Sequence, residues 1–397
     1  MTNNNDKKVL NVPPSTDKGN AIRNVPPLRF PEFSGEWKEE QLDSIATLSK
    51  GVGISKEQLS EVGEPCILYG ELYTKYKSEI IKQIESKTDI DCSKLKRSKA
   101  NDVIIPCSGE TAVDIATARC VPFDNILFGG DLNVISLHKY DGAFMSYQLN
   151  GKRKYDIARV AQGVSVVHLY GDHLKAIKTY NPTLPEQQKI AKLLSLLDER
   201  IATQNKIIEK YESLIKGINC KIFALIQGNE YRLGDIATIT NGNSNVQDAS
   251  VEYRVGLYPF FDRSEDVKYL PTFLFDKESI IYPGEGTEFM PRYYNGKFAL
   301  HQRCYAICDF NEAVNPQFLY FFLKTQNSYF IRNAVGSTVP SLRLDTFQKL
   351  KVVIPSKETQ YSVYSFLSTL EQKLDVENSI MKMLLCQKRY LLRQMFI

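Results

Sequence analysis

Residues 182–223 read PTLPEQQKIAKLLSLLDERIATQNKIIEKYESLIKGINCKIF, and residues 355–396 read PSKETQYSVYSFLSTLEQKLDVENSIMKMLLCQKRYLLRQMF. Shifting the chain by 173 residues without a gap superimposes the two stretches, and Gln187 then falls on Gln360. Such a match indicates duplication of a structural unit. We therefore expect the chain to contain the same element twice.

Both copies have apolar residues in alternating steps of four and three, which is typical of a coiled-coil helix. The seam of the first copy is Ile190, Leu194, Leu197, Ile201, Gln204, Ile208, Tyr211, Ile215, Ile218, Ile222 and Leu225. The seam of the second copy is Val363, Leu367, Leu370, Leu374, Met381, Leu384, Leu391 and Met395, with Glu377 at the position of Gln204. Lys388 stands at the position of Ile215 and makes this seam less regular near its end. The intervening segment begins where the first helix ends and ends where the second begins, so we expect the helices to pair antiparallel.

Each seam contains one polar layer, Gln204 in the first helix and Glu377 in the second. Such a residue either fixes the register of the pair or extends its head group to water, and the sequence leaves both interpretations open. At the start of the first helix, Thr183 followed by Glu186 predicts a capping box.

The composition excludes several classes of protein. The chain has 397 residues, 43% of them hydrophobic, which predicts two or three domains with real cores. The longest apolar runs fall short of the roughly 18 residues of a membrane span, and the polar N-terminus does not resemble a signal peptide, so we expect a cytoplasmic protein. Eight scattered cysteines suggest free thiols, and a net charge of +4 tolerates a polyanionic partner without requiring one.

A second repeat defines the domains. Residues 42–51 recur as 233–242 at an offset of 191, so each helix is preceded by a globular part that begins in the same way. The predicted order is a mobile segment (1–27), a first globular domain (28–181), a first helix (182–227), a second globular domain (228–354) and a second helix (355–397).

Short β-rich runs within the globular parts predict a mixed α and β class. Examples are Asp102 to Pro106, Ser279 to Tyr282 and Tyr305 to Cys308. Near their ends the two parts match again, with Gly163 over Gly336. The matching glycines predict a shared tight backbone feature.

This arrangement resembles the specificity subunit of type I restriction-modification systems. The resemblance rests on the start of the first helix (182–191), the run that follows it (193–201) and the Leu-Arg-Phe-Pro-Glu-Phe approach to the first domain (28–33). It implies an α+β fold in which two mixed α/β target-recognition domains alternate with two long helices that pair as an antiparallel coiled coil. The second helix start departs from the family pattern, because it lacks the Glu-Gln-Gln run.

The resemblance also implies a function. A specificity subunit has no catalysis of its own and needs no cofactor, since S-adenosylmethionine binds to its partners. It carries two methyltransferase subunits and, with them, the translocating restriction (endonuclease) subunits to an asymmetric bipartite site in double-stranded DNA.

The motifs of catalysis are missing from the sequence. Neither an Asn-Pro-Pro-aromatic methyltransferase loop nor a P-loop is present in these 397 residues. Asp262, Glu265 and Lys268 are interpreted as a solvated charged face rather than a metal nuclease site. Cys304 and Cys308 share one face of a predicted strand and are interpreted as buried thiols rather than as zinc ligands with His301. We predict no metal.

DNA contacts are expected in the divergent parts, where basic and aromatic residues and glycine loops cluster. In the first domain the predicted DNA-binding residues are Tyr69, Gly70, Tyr73, Lys75, Lys94, Lys96, Arg97, Lys99, Ser108, Gly109, Glu110, Thr111 and Arg119. In the second domain they are Arg263, Ser264, Gly286 and Thr287 of the Gly284-Glu285-Gly286-Thr287 loop, Arg292, Tyr293, Tyr294, Lys297, His301 and Arg303.

Two rival functions fit the same sequence less well. A coiled-coil scaffold that binds only other proteins would explain the long seams, and a stand-alone enzyme would have to use other chemistry. Duplicated domains with unlike loops favour a reader of two unlike half-sites.

Overall fold

Two long helices, Leu184–Leu225 and Lys357–Gln394, carry the repeat. The computed structural model describes residues 24–163 and 166–397. Most of the predicted mobile segment lies outside the described residues. Its last four residues are described, and there the Asn24 carbonyl accepts a hydrogen bond from the Trp37 N–H at 2.7 Å.

The described chain divides into two compact units. The first comprises the chain up to Thr203 together with Lys382–Ile397, and the second comprises Gln204–Met381. Each unit therefore contains one globular part and a portion of both long helices. The helices are integral to the two units, whereas the sequence had suggested that they form segments of their own.

The long helices pair antiparallel, and the predicted seam is confirmed. In the first unit, Leu194 and Met395 are buried in one apolar cluster. In the second unit, the Gln204 side-chain amide donates to the Glu377 carboxylate at 2.5 Å and to the Glu377 carbonyl at 3.1 Å. Residue numbers thus rise along one helix as they fall along its partner. Gln204 is buried and hydrogen-bonded across the helix pair, so this polar layer fixes the register of the two helices. The Gln204 side chain does not extend to the solvent.

Two details of the helices differ from the predictions. The capping box is wrong: the Glu186 carboxylate accepts hydrogen bonds from Arg29 and Trp37 instead of returning to the helix start. At the other end Leu225 is 69% exposed, so the seam stops before it.

The first unit is built of short strands and helices. Its strands are β1 (Lys38–Gln41), β2 (Ala46–Lys50), β3 (Leu59–Ser60), β4 (Glu64–Ile67), β5 (Ser86–Thr88), β6 (Lys96–Arg97), β7 (Asp102–Pro106), β8 (Ser108–Gly109), β9 (Arg119–Val121), β10 (Leu127–Phe128), β11 (Leu132–Leu137), β12 (Val167–His168) and β13 (Lys178–Asn181). Its shorter α-helices are Leu42–Ile45, Glu71–Thr74, Ala112–Ile115, Gly142–Asn150, Lys154–Val160 and Gly171–Lys175. The sheets have the strand orders β2-β11-β7-β9, β3-β5-β4-β10-β6, β1-β13 and β12-β8.

The second unit has fewer and longer strands. They are β14 (Asn229–Arg232), β15 (Thr238–Asn241), β16 (Tyr258–Phe261), β17 (Lys268–Leu270), β18 (Phe275–Pro283), β19 (Arg292–Leu300), β20 (Cys304–Cys308) and β21 (Lys351–Ile354). The shorter α-helices are Leu233–Ile236, Pro316–Lys324, Asn327–Asn333 and Leu344–Gln348. The sheets have the orders β15-β20-β18-β19-β16-β17 and β14-β21.

The central sheets of the two units repeat each other. The order β2-β11-β7-β9 recurs as β15-β20-β18-β19, and all the pairings among these strands are antiparallel. The register also matches, because Pro106 faces Leu132 in the first unit and Pro283 faces Cys304 in the second. The predicted mixed α and β class and the duplication are thereby confirmed.

A glutamine attaches each long helix to its globular part. The Gln187 side-chain oxygen accepts from the Asp141 N–H at 2.9 Å, and the Gln360 oxygen accepts from the Asn315 N–H at 2.7 Å. Asp141 and Asn315 cap the helices Gly142–Asn150 and Pro316–Lys324. The glutamine shared by the two repeats therefore docks each long helix on the same neighbour.

Apolar burial follows the strand pattern. All five residues of β7 are buried, and so are all five of β20, as expected for central strands covered on both faces. Within the described residues, no helix is both long and apolar enough to cross a membrane.

Candidate nucleic-acid interface

A Pro-x-x-Gly turn ends the same strand in each unit. It follows β7 as residues 106–109 and β18 as residues 283–286. In the second unit the Gly286 N–H donates to the Pro340 carbonyl at 3.0 Å, and Gly286 has a φ of +145°, a conformation that suits glycine.

A short hairpin supports each turn. In the first unit Ser108 pairs with His168, and in the second Glu285 pairs with Ser341. In each hairpin a glycine follows the first paired residue: Gly163 after Gln162 and Gly336 after Val335, with φ values of +125° and +104°. An added Cβ would lie 2.1 Å from the Val166 oxygen at Gly163, so the predicted shared backbone feature is confirmed.

The first turn lies on a cleft of about 700 Å³. Seven of the predicted DNA-binding residues line it, namely Tyr69, Gly70, Tyr73, Ser108, Gly109, Glu110 and Arg119. The Tyr73 hydroxyl donates to the Ser108 carbonyl at 3.2 Å, which holds the tyrosine against the turn. The tertiary structure thus joins three segments that are separate in the sequence.

Two residues predicted in this region have structural roles. Thr111 caps the helix Ala112–Ile115, since its hydroxyl oxygen accepts from the Asp114 N–H at 3.1 Å. Arg119 is only 9% exposed and donates to the carbonyls of Tyr76, Ala118 and Leu72. Its donors are used to build the floor of the cleft, and its contact with DNA stays a prediction.

The basic cluster of the first domain lies apart from this cleft. Lys96 and Arg97 form the edge strand β6, and Lys94 and Lys99 flank it with exposed side chains. Arg97 is paired with Glu64 through two hydrogen bonds, at 2.5 and 2.9 Å.

Lys75 lines a neighbouring cavity together with Tyr69, Gly70 and Asp131. Its ammonium donates to Glu71 and Ser86, both at 2.7 Å. Lys94, Lys96, Arg97 and Lys99 are thus absent from the lining of the cleft, and their contact with DNA, like that of Lys75, stays a prediction.

The second unit has a cleft of about 580 Å³ next to its own turn. It is lined by Val246, Asp262, Arg263, Ser264, Lys268, Glu285, His301, Gln302, Arg303 and Cys304. Four of these residues were predicted as DNA contacts, namely Arg263, Ser264, His301 and Arg303. Thr287 is exposed two positions beyond Glu285.

Asp262 organises the loop that bears Arg263 and Ser264. It is 4% exposed and accepts from Lys268 at 2.6 Å and from the Ser264 N–H at 2.8 Å. Burial acts to raise the pKa of the Asp262 carboxyl, but these hydrogen bonds lower it below its ordinary value. The interpretation of Asp262 as part of a solvated face is therefore wrong, and the residue is a buried anchor.

The predicted residues on β19 separate onto two faces. Arg292 supports the same loop by donating to the carbonyls of Ser264 and Asp262. Tyr294 packs against Phe261 and Phe298. Tyr293 projects to the opposite face, where its hydroxyl donates to Glu278 and accepts from Gln317.

Arg292, Tyr293 and Tyr294 thus make contacts within the unit through their polar or aromatic groups, and their contact with DNA stays a prediction. Lys297 remains exposed, with its ammonium 4.8 Å from the Phe273 ring centroid.

His301 and Arg303 lie together on the rim of the second cleft. The Arg303 guanidinium donates to both carboxylate oxygens of Glu285, at 2.8 and 3.0 Å. Burial lowers the pKa of the His301 imidazole, which favours its neutral form, and its Nδ1 accepts from the Arg303 N–H at 3.2 Å.

The two strand cysteines are buried thiols, as predicted. Cys304 and Cys308 are each 1% exposed, and burial raises the pKa of both to about 11. Zinc binds thiolates, so this environment disfavours the zinc alternative. The absence of a metal stays a prediction.

Sequence reasoning missed Asp131, Asp262 and Lys268 as parts of these sites, and it named Glu285 only within its loop. The repeated Pro-x-x-Gly motif could have identified Glu285 from the sequence, because aligning its two copies places Glu285 at the position of Ser108. Asp131 follows two glycines and faces that turn, with its Oδ2 3.3 Å from the Ser108 hydroxyl. Only strand pairing could reveal that contact.

Comparison with known proteins agrees with this architecture. The sequence model of the family described as the type I restriction modification DNA specificity domain matches residues 34–213 and 228–384. Over 138 residues, 35% of this chain, the sequence is 30% identical to the specificity subunit of the type I restriction enzyme EcoDI from Escherichia coli. That match spans 30% of the length of the relative.

A second relative is matched over more of its length. The chain is 22% identical over 320 residues to the specificity subunit of the type I restriction enzyme MjaVIII from Methanocaldococcus jannaschii. The match covers 70% of this chain and 74% of the relative.

Solved structures support the fold. The S subunit of a type I restriction-modification system from M. genitalium has a TM-score of 0.64 at 20% identity, covering 94% of this chain and 99% of that one. A chain from a structural study of complex assembly and conformational transition of the type I R-M system has a TM-score of 0.55 at 14% identity, covering 91% and 97%. At these identities the likeness establishes the fold alone.

The resemblance inferred from the helix starts is confirmed by the family match in both halves of the sequence. That match takes in both globular parts and most of both long helices. The chain belongs to the type I restriction modification DNA specificity domain family.

Proposed function

We propose that this chain is the DNA-recognition subunit of a type I restriction-modification complex, and that each unit reads one half of an asymmetric two-part target in double-stranded DNA. The observation that carries the proposal is the pair of polar clefts on the same framework. Both lie next to a Pro-x-x-Gly turn supported by a hairpin, but their side chains differ. Base-edge contacts specify sequence, so unlike clefts on a common framework suit two unlike half-sites.

The chemistry of the complex belongs to partner subunits in this proposal. Two methyltransferase subunits, which bind S-adenosylmethionine, and the restriction subunits are directed to the target by this chain. Family membership supports this division, since it makes the chain a recognition subunit.

Apolar side chains exposed along the long helices support docking of these partners. They include Leu196 (50% exposed), Phe366 (49%), Val376 (58%), Met383 (63%) and Tyr390 (58%). Exposed apolar patches commonly mark protein interaction sites. They also fit the rival function of a scaffold that binds only proteins.

Salt dependence distinguishes recognition from scaffolding. The complex of this chain with its cognate methyltransferase subunits is titrated against duplex DNA at increasing salt. We expect a steep linear decline of log affinity with log salt, as phosphate contacts release counterions. A flat response would favour the scaffold.

The recognition role is tested by mapping methylation. The complex is supplied with S-adenosylmethionine, and modified adenines are located by long-read sequencing. We expect methylation at one two-part sequence, and none with the isolated chain. Methyl transfer by the purified chain alone would contradict the proposal.

Modularity is tested by exchange of one unit. Residues 236–355 are replaced by the corresponding segment of another family member. One half-site should change and the other should persist. A change in both half-sites, or in neither, would contradict independent reading.

A further inference from the structure

In both units, two side chains face each other where the strand that ends in proline pairs with the start of the neighbouring strand. In the first unit Asp131 immediately precedes β11 at Leu132, which faces Pro106. In the second unit Arg303 immediately precedes β20 at Cys304, which faces Pro283. Asp131 and Arg303 are therefore equivalent positions.

Their partners are equivalent as well. Ser108 and Glu285 are each the second residue after the proline that ends the neighbouring strand. The Ser108 hydroxyl lies 3.3 Å from the Asp131 carboxylate, and the Arg303 guanidinium lies 2.8 Å from the Glu285 carboxylate. The same pair of positions thus carries hydroxyl and carboxylate in one unit, and carboxylate and guanidinium in the other.

The backbone around the two pairs matches. The Asp131 carbonyl accepts from the Cys107 N–H at 2.7 Å. At the corresponding place in the second unit, a Cβ added to Gly284 would lie 1.9 Å from the Arg303 carbonyl. The turn and the start of the neighbouring strand are in close contact in both units.

A buried polar side chain anchors each hairpin to the middle strand. The Asn133 amide donates to the Leu169 carbonyl at 2.9 Å, and the Tyr305 hydroxyl donates to the Leu342 carbonyl at 3.0 Å. Asn133 is 1% exposed and Tyr305 9%. The hairpin is therefore fastened to the middle strand in the same way in both units, whereas the side chains of the facing pair differ.

Exposure distinguishes these pairs from internal ion pairs. Asp131 is exposed, and the Arg303 side chain is 63% exposed. An exposed ion pair contributes little to stability, so the Arg303 guanidinium exchanges one partner for another at small cost. Its fork of donors suits the O6 and N7 acceptors of guanine, whereas a carboxylate accepts from the amino group of cytosine.

We propose that positions 108 and 131 in the first unit, and 285 and 303 in the second, are matched specificity-determining pairs. Arg303 reads a guanine in the second half-site, and Glu285 orients it. Asp131 reads a cytosine amino group in the first half-site, and Ser108 orients it. This inference rests on the proposed function and names the residues and bases that carry it.

Substitution of Arg303 tests the second pair. A glutamine side chain still offers hydrogen-bond donors, but its amide pairs best with the N6 and N7 groups of adenine. In the complex with its methyltransferase subunits, Arg303→Gln should select adenine in place of guanine at one position of the second half-site, from a library randomised in both half-sites. Binding to the parent site should weaken about 10-fold, as expected for loss of one bidentate base contact.

The control is Lys351→Gln in the same unit. Lys351 also forms an exposed pair, with Glu230 at 2.7 Å, but on the β14-β21 sheet away from the cleft. This variant removes the same charge and should select the parent sequence. The first half-site should be unchanged in both variants.

Asp131→Asn tests the first pair independently. This variant should weaken or change base selection at one position of the first half-site only. Unchanged half-sites in both variants would overturn the inference. So would loss of all sequence selection by an Arg303→Gln complex that keeps its subunits and the parent's thermal unfolding midpoint, because Arg303 would then act on binding in general. A parent complex that selects no two-part sequence would instead overturn the proposed function.

Discussion

The guanidinium of Arg29 holds the carboxylate of Glu186 by two hydrogen bonds of 2.7 Å. The residues lie 157 positions apart, and the Glu186 side chain is 1% exposed. The beginning of the first globular part is thus fastened to the start of the first long helix. The second helix has Thr359 in place of Glu186 and therefore lacks the carboxylate that this attachment requires.

Removing the charge of Glu186 should destabilise the first unit. In Glu186→Gln, Arg29 is left largely buried without its counter-charge, and the expected loss is about 3 kcal/mol of unfolding free energy. Fluorescence of Trp37, the only tryptophan in the sequence, reports unfolding of this unit. The control Glu199→Gln breaks the exposed pair with Lys82 in the same unit and should cost less than about 1 kcal/mol. Equal effects of the two variants would contradict a structural role for the Arg29 pair.

Loss of the docking glutamine should loosen the helix start. Gln187→Ala leaves the Asp141 N–H without its partner, at an expected cost of about 1–3 kcal/mol. Hydrogen exchange at the start of the helix Gly142–Asn150 should accelerate. The neighbouring Gln188 is exposed, so Gln188→Ala serves as the matched control and should leave exchange unchanged. Unaltered protection in Gln187→Ala would show that the bond does not hold the helix.

The polar layer of the helix pair should show non-additive energetics. Gln204→Leu removes the amide that donates to Glu377, and it should destabilise the second unit by about 1–2 kcal/mol. Adding Glu377→Leu should restore most of that loss, since an apolar pair replaces a broken polar one. Denaturant unfolding of the single and double variants measures the coupling. Asn205→Leu, on the exposed face of the same helix, is the control. Additive losses would contradict this account.

Lys388 should couple stability to pH. Its ammonium bridges Glu79 at 2.6 Å and Asp198 at 2.7 Å, and the Tyr147 hydroxyl also donates to Asp198. Burial raises the pKa of the Glu79 carboxyl and Asp198 raises it further, while Lys388 opposes both. Lys388→Met should therefore cost about 3 kcal/mol at pH 8, because two buried carboxylates remain unpaired.

That cost should shrink as the pH is lowered towards 5. A raised folded-state pKa means that the native protein binds a proton that the unfolded chain releases, so stability rises as pH falls towards the ordinary value near 4.3. Thermal unfolding midpoints between pH 5 and 8 measure the slope. Lys324→Met, which removes the partner of Glu371 alone, should depend less on pH. A pH-independent cost of Lys388→Met would argue against protonation of Glu79.

The exposed lysines of the first domain should control salt dependence. If Lys94 and Lys99 contact phosphates, replacing both by Gln should weaken DNA binding uniformly across sequences and reduce the salt slope by about 2. The half-sites selected from a random library should stay the same. A changed half-site, or an unchanged slope, would remove these lysines from the phosphate-contacting set.

The sequence by itself determined the duplication, the two long helices and their seams, because offsets and periodicity are properties of the chain order. The central strands were likewise readable: Asp102 to Pro106 was predicted as a β-rich run and is β7. Helix and strand patterns depend on residues close together in the sequence, and the repeat offsets depend only on residue order.

Only the tertiary structure decided which polar residues remain available to a partner. Arg119 and Arg292 are residue types that commonly contact DNA, but in this fold both donate hydrogen bonds to backbone carbonyls of other segments. Strand alternation turned Tyr293 away from its neighbours, and strand pairing placed Asp131 beside Ser108. Hydrogen-bond satisfaction is set by non-local neighbours, and a residue type does not carry that information.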